Sequence, residues 1–340
     1  MTQEQRVGQL FVVGLRNDRL GTAEIDGIRR YHFGSVTFIT TTSIGVGGIR
    51  ARTDAVQALA TRTATARVRF YVAANQEGGT IQALRGPGFS PIPSALDQGA
   101  MAPAALRTEA GVWGQELLAA GVNFDFAPVM DVVPPGTDAM NQPIGVLERE
   151  FGHDVGTVSA HGIAFLRGMQ QAGVTTSAKH FPGLGRVAGN TDFTADVVDR
   201  ATTSDDPYLQ TFRRAIDAGV PFVMVALATY TGIDSQRLAV FSPAVMSLLR
   251  NEMGFGGVIV SDDIGAAVAI SAIPAGDRAI RFLSAGGDMI ISKFVQPADR
   301  MAVAVDSRMN RDPVFRSRVD DAVMRILAAK DASGLLPCSG

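Results

Sequence analysis

The stretch Val174-Thr175-Thr176-Ser177-Ala178-Lys179-His180-Phe181-Pro182-Gly183-Leu184-Gly185 joins a short apolar, β-branched run to a cation, an imidazole and a loop opened by proline and glycine. Residues 174–178 have the composition of a buried strand, and Pro182 and Gly183 are the residues that end one. Asn190-Thr191-Asp192 follows shortly after, so the loop also carries a carboxylate. A connection that merely reverses the chain seldom needs that chemistry, and a strand end feeding an active-site loop does.

Working outward, similar runs recur at Leu10–Leu15, Ser35–Ile39, Phe70–Ala74, Phe124–Val129, Thr175–Lys179, Phe222–Ala228, Val258–Ser261 and Met289–Ser292. Stretches with helical periodicity lie between them, at Glu109–Ala120, Val155–Gln171, Leu209–Ala218 and Pro243–Met253. In the last, Ser242 is placed as N-cap and Pro243 at the first helical position. Strands alternating with helices eight times predict a TIM-like (β/α)₈ barrel. The uneven spacing predicts one or two degenerate units, and a doubly wound open sheet is the alternative. No repeat or linker divides the chain, so residues 1–340 are expected to form a single domain. The segment from Val132 to His153 is expected to cross the barrel mouth.

Composition narrows the partners. With 46% apolar and 19% charged residues and a net charge of -2, the chain has no electrostatic footprint for nucleic acid or an anionic membrane, and a compact neutral substrate suits it best. Its 37 glycines exceed the usual ~7% and suit tight connections close to a ligand. Cys338 is the one cysteine, which excludes a disulfide framework or a cysteine-based metal site within the chain. No run approaches the ~18 apolar residues of a membrane span. Met1–Arg6 is polar, unlike a secretory signal. As written the chain reads as cytoplasmic, or as an envelope or secreted protein if a signal precedes it.

Catalytic groups in such barrels sit at C-terminal strand ends. Those ends carry Asn75-Gln76-Glu77-Gly78-Gly79, Asp131, Lys179-His180 and Ser261-Asp262-Asp263. Asp262, after a buried run, is placed to attack an electrophilic carbon, although an Asp-Asp pair also suits the cap of a helix beginning near Ile264. Asp263 should point elsewhere because side chains alternate along a strand. Lys179 suits either a Schiff-base amine or a donor to substrate hydroxyls. His180 is one of four histidines, with His32, His153 and His161, and no spacing among them marks a metal site. Arg149 lies between two acids and reads either as a site cation or as a solvated charge. Glycoside chemistry needs two carboxyls, about 5 to 5.5 Å apart in retaining enzymes, and Asp262 and Asp192 are the candidates. Asp192 rides on the Gly183–Thr194 loop, read as mobile, where a turn-forming role is the plainer alternative.

In sequence order, Val7-Gly8-Gln9-Leu10-Phe11, Gln76-Glu77-Gly78-Gly79, Phe126-Ala127-Pro128-Val129-Met130-Asp131, Arg149-Glu150-Phe151-Gly152, Lys179 to Gly183, Ser261-Asp262-Asp263 and Ala285-Gly286-Gly287-Asp288 form a pattern over nearly the whole chain. It resembles the family 3 glycoside hydrolases, in particular their single-domain β-N-acetylglucosaminidase branch of peptidoglycan recycling. The resemblance implies retaining hydrolysis without metal or organic cofactor, acting on a small carbohydrate of cell-wall or chitooligosaccharide type. It also implies that Asp262 is the nucleophile, with Asn75, Asp131, Arg149, Lys179 and His180 around one terminal N-acetylhexosamine.

The chain departs from that pattern in two places. Asn75 stands where the family typically has an aspartate that binds sugar hydroxyls. In Lys-His-Phe-Pro-Gly-His-Gly and the later Asp-Ser-His, the family's last histidine is the acid/base and the aspartate orients it; here those places hold Leu184 and Asn190-Thr191-Asp192. Ungapped alignment puts Asp192 at the acid/base and Asn190 at its orienting residue. A carboxylic acid can serve if burial or a nearby negative charge raises its pKa, and Asp262 is expected to supply that charge. The variant loop is similar to that of actinobacterial members, some of them envelope lipoproteins. The leading expectation is therefore an exo-β-N-acetylhexosaminidase using Asp262 and Asp192. The alternatives are a non-catalytic sugar-binding relative, a glycosidase for another β-linked sugar, and a Lys179 Schiff-base aldolase.

Overall fold

The computed structural model describes residues 1–337; Cys338 lies outside them. Eight strands close into a barrel: β1 Phe11–Leu15, β2 Ser35–Phe38, β3 Tyr71–Ala74, β4 Phe124–Asp125, β5 Thr175–Phe181, β6 Phe222–Val225, β7 Val258–Asp263 and β8 Met289–Ser292. Each strand pairs in parallel with its sequence neighbours, and Phe11 opposite Ile290 closes the ring. The open doubly wound alternative is thereby excluded. Because every strand runs the same way, all eight C-terminal ends meet at one rim.

A helical segment follows every strand, at Thr22–Tyr31, Gly45–Gln57, Pro103–Ala119, Val155–Ala172, Gln210–Asp217, Pro243–Glu252, Ala275–Ala285 and Val295–Arg311. No unit is degenerate, contrary to what the uneven spacing predicts. The unevenness comes from loops. Between β3 and its helix stands the small hairpin Gln76–Gly78 with Ile81–Gln82. A separate three-stranded sheet, Val198–Thr203, Thr229–Gly232 and Asp234–Leu238, is built from the connections after β5 and β6. Its strands are too polar and exposed to show the alternation that betrays a half-buried strand.

Two boundaries move for identifiable reasons. β4 stops at Asp125 instead of running to Val129, because Pro128 has no N–H for the ladder. The helix expected from Glu109 begins at Pro103, which occupies the first turn where a missing N–H costs nothing. Ser242 caps its helix as expected, accepting from the Val245 amide. That helix relaxes into a π-turn at Leu248–Glu252.

The barrel has an apolar floor and a polar mouth. Tyr71, Phe124 and Phe222 pack together inside it, with ring centroids 5.2 Å apart for Tyr71–Phe124 and 4.6 Å for Phe124–Phe222. All three lie at strand N-terminal ends, so the interior is plugged from below and a ligand can enter only at the opposite rim. Asp288 of the Ala-Gly-Gly-Asp motif precedes β8 and is a structural anchor: buried, it pairs with Arg250, Arg318 and Arg325.

Candidate active site

A cavity of about 280 Å³ opens at the C-terminal rim, walled by Asn75, Arg149, Lys179, His180, Leu184, Asn190, Asp192, Asp262 and Lys293 with Phe38, Phe126, Met224 and Ile291. Its size is at the lower end of ligand sites, which run roughly 300–1,000 Å³, and suits one sugar ring. Six of the seven residues singled out from sequence meet here.

Lys179 and His180 are consecutive yet both face the cavity, which simple alternation along a strand forbids. The β5 ladder shifts register between Lys179 and Phe181, which breaks the alternation there. Lys179 Nζ lies 2.5 Å from Glu77 Oε1 and donates to Asn75 Oδ1 at 2.8 Å. Arg149 grips the same Glu77 bidentately, Nε to Oε2 at 2.7 Å and Nη2 to Oε1 at 2.8 Å. Burial pushes the Glu77 carboxyl up, but Arg149 and Lys179 more than reverse this and hold it at about 2. Burial also lowers the Lys179 pKa, with Glu77 opposing and Arg149 assisting. The Lys179 ammonium is thus occupied by an anion and an amide, unlike the free amine a Schiff base needs. Arg149 is no solvated surface charge.

Asp131 requires a correction. Expected to touch substrate, it is fully buried behind His180 and does not line the cavity. Its Oδ2 lies 2.8 Å from His180 Nδ1, while its Oδ1 accepts from the amides of His180 at 3.1 Å and Leu184 at 3.0 Å. With both oxygens so used, it positions the imidazole and the start of the following loop. Tyr230, from the accessory sheet, steadies the same loop by donating to the Gly183 carbonyl at 2.8 Å.

Asp262 and Asp263 lie at the end of β7 and both border the cavity, but Asp263 is almost wholly buried and its carboxylate is tied to backbone. Asp263 Oδ1 accepts from the amides of Gly265 and Lys293, and burial pushes its carboxyl up to about 6 against the pull of Lys293. No helix among the described residues begins near Ile264, so the capping role considered for the pair is not filled; Asp263 instead closes a turn on the Gly265 amide and ties the end of β7 to Lys293 after β8.

Asp192 faces the same cavity on a loop that is docked to the body. The carbonyls of Thr191 and Asp192 accept from the amides of Ala269 and Val268 at 3.1 and 3.2 Å. Asn141 Nδ2 holds the carbonyls of Leu184 and Val187, each at 2.7 Å. Asn190 Oδ1 accepts from the Asp192 amide at 3.0 Å, forming an Asx turn, so it acts on backbone rather than on the carboxylate. The side-chain partner of Asp192 is the cation of Lys293, at 2.9 Å, with Asp262 on the same cavity. Burial lowers the Lys293 pKa, and Asp192 and Asp263 more than offset this.

Three residues escaped the sequence reading. Glu77 stood within a quoted motif without a role. Lys293 directly follows β8 and was discoverable by the strand-end rule that located Lys179. Asp125 lies fully buried beneath Lys179; burial pushes its carboxyl up to about 7 despite the Gln76 amide and Lys179.

A cavity of one-ring size walled by the carboxylates of Asp192 and Asp262, with cations and amides for hydroxyls around it, marks a carbohydrate-processing barrel. Residues 2–329 match the family described as "Glycosyl hydrolase family 3 N terminal domain", and the chain belongs to that family. It is similar to the crystal structure of a β-N-acetylhexosaminidase from Beutenbergia cavernae, with 48% identity and a TM-score of 0.96, covering 97% of this chain and 99% of that one. A β-N-acetylglucosaminidase/β-glucosidase of Cellulomonas fimi is 32% identical over 88% of this chain and 56% of its own length. A β-hexosaminidase of Vibrio cholerae is 37% identical over 65% of each. The chain thus spans just over half the length of the first of these two relatives and slightly under two thirds of the second.

Proposed function

We propose that residues 1–340 act as one exo-β-N-acetylhexosaminidase unit that removes a terminal β-linked N-acetylhexosamine with retention, from a cell-wall or chitooligosaccharide-type substrate. The observation that carries this is the placement of Asp262 and Asp192 on one cavity with room for a single ring. The sugar class is supported by the likeness to a β-N-acetylhexosaminidase along almost the full length of both chains.

In this reading, Asp262 attacks the anomeric carbon while the leaving oxygen takes a proton from Asp192, giving a covalent glycosyl-enzyme. Asp192 then accepts a proton from water, which displaces Asp262. The first step needs Asp192 protonated, so the arriving sugar must loosen its pair with Lys293; the second uses the carboxylate in the form Lys293 holds. Asn75, Arg149, Lys179 and His180 bind the ring, and Asp131 positions His180.

Intact-mass analysis after reaction with a 5-fluoro N-acetylglucosaminyl donor tests the assignment. A single glycosyl adduct is expected on Asp262. An adduct on another residue would overturn the nucleophile assignment. Binding of N-acetylglucosamine by calorimetry without turnover of any aryl glycoside would establish the sugar-binding alternative, which the Lys293–Asp192 pair favours.

A further inference from the structure

The segment crossing the barrel mouth, residues 132–153, gathers three ligand-type side chains outside the cavity described above. Asp138 lies in the short 3₁₀ turn Asp138–Met140, and Glu150 and His153 lie near the end of the segment. One ligand atom from each falls within 4.8 Å of those of the other two. Glu150 is fully buried, and neither of its carboxylate oxygens has a hydrogen-bond partner among the described residues; the same holds for Asp138 Oδ1. His153 Nδ1 lies 3.5 Å from Asp138 Oδ1 and 3.2 Å from the Val133 carbonyl.

An ionised carboxylate only accepts hydrogen bonds, so burying Glu150 against Asp138 with no donor to either Glu150 oxygen is costly unless a cation or a shared proton sits between the two carboxyls. The adjacent guanidinium cannot fill that place, since Arg149 is committed to Glu77 and the Pro143 carbonyl. The side chains of Asp138 and His153 remain 37% and 35% exposed, which leaves one side open to solvent. Two carboxylates, one imidazole and an open side form a three-ligand, water-completed arrangement that suits zinc and, less tightly, manganese.

We propose that Asp138, Glu150 and His153 form a divalent-cation site, filled by zinc in preference to manganese, that clamps the segment over the barrel mouth. Pro143, Leu147 and Arg149, which wall the sugar cavity, lie between the first and last of these ligands in sequence. Asn141, in the same segment, holds the Asp192 loop through Leu184 and Val187. Bound cation closes the segment at its base and fixes that wall, so it acts on thermal stability and KM while taking no part in bond breaking.

The test uses untagged protein, stripped with a chelator, then titrated with zinc chloride or manganese chloride by calorimetry. Bound metal is counted by elemental mass spectrometry and Tm is followed in parallel. The expected result is one zinc per chain, a Tm rise of several degrees, weaker manganese binding, and at least tenfold weaker zinc binding in Asp138→Asn and Glu150→Gln. Asp138 is partly exposed, so Asp138→Asn carries the test if Glu150→Gln fails to fold. Absence of stoichiometric zinc in the wild type overturns the proposal. So does binding unchanged in the folded variants, which shows an adventitious ion only. A wild type that binds no zinc and is stabilised without metal by Glu150→Gln shows a proton shared by two carboxyls, and overturns it equally.

Discussion

Lys293 Nζ donates to Asp192 Oδ2 at 2.9 Å, so the residue just after the last barrel strand holds the carboxylate of a loop that enters far earlier in the chain. Both side chains are about one-third exposed, at 37% and 34%, so the pair contributes at most about 1 kcal/mol to folding. Its value lies in where it puts the carboxylate.

Lys293→Ala removes this pair and the longer, 3.8 Å contact with buried Asp263, so it should lower Tm modestly while altering turnover far more. With an aryl N-acetylglucosaminide bearing a poor leaving group, kcat/KM is expected to fall about 10- to 100-fold, because losing the placement of the acid, part of the 10²–10⁴ that proton transfer supplies, outweighs the easier protonation gained once the cation is gone. A leaving group that needs no proton should show a loss of only about threefold. Equal losses with both substrates would contradict a positioning role.

Asp262 and Asp192 should separate by the same substrate pair. Asp262→Ala is expected to abolish turnover of both, since no covalent intermediate forms. Asp192→Ala should spare the burst of an activated aryl glycoside and cost about 10²–10⁴ with a poor leaving group. Pre-steady-state release of the aryl group distinguishes the two, and an intact burst in Asp262→Ala would sink the assignment.

Glu77 balances two buried cations. Glu77→Gln leaves Lys179 and Arg149 without their anion and is expected to cost about 3–5 kcal/mol of stability, measured by urea unfolding at neutral pH. The folded carboxyl sits at about 2, below its ordinary 4.5, so its contribution is complete above about 4.5 and is lost as pH falls towards 2. The gap between wild type and variant should narrow over that window and stay constant above it.

Asp125 should behave oppositely. Its folded carboxyl is raised to about 7 from 3.8, so the native state holds that proton more tightly than the unfolded chain. The resulting help to folding is full below about 3.8 and is lost as pH rises through about 7. Asp125→Asn keeps an acceptor for the Gln76 amide and removes the titration. Relative to this variant, wild type should lose more than about 1 kcal/mol between roughly pH 4 and pH 8 by denaturant unfolding. Parallel stability curves would show that Asp125 does not titrate there.

The barrel was legible because its signal is local. Each buried parallel strand is a short apolar run, each connection contains helical period, and Ser242-Pro243 announces its helix without reference to anything distant. The accessory sheet was not legible, because Asp234–Leu238 and Val198–Thr203 are polar and mostly exposed. The strand-end rule also located Asp262, Lys179 and His180, since a parallel barrel delivers all its C-terminal ends to one rim.

Partnership is another matter, because it depends on distances between residues far apart in sequence. By itself the sequence determined the barrel, the family and the rim on which chemistry occurs. Only the tertiary structure decided that Asp131 stands behind His180, that Glu77 joins Lys179 to Arg149, and that Asp192 faces Lys293. Backbone periodicity is written in neighbouring residues, whereas a charge acquires its role from whichever charges the closed ring brings within a few ångströms of it.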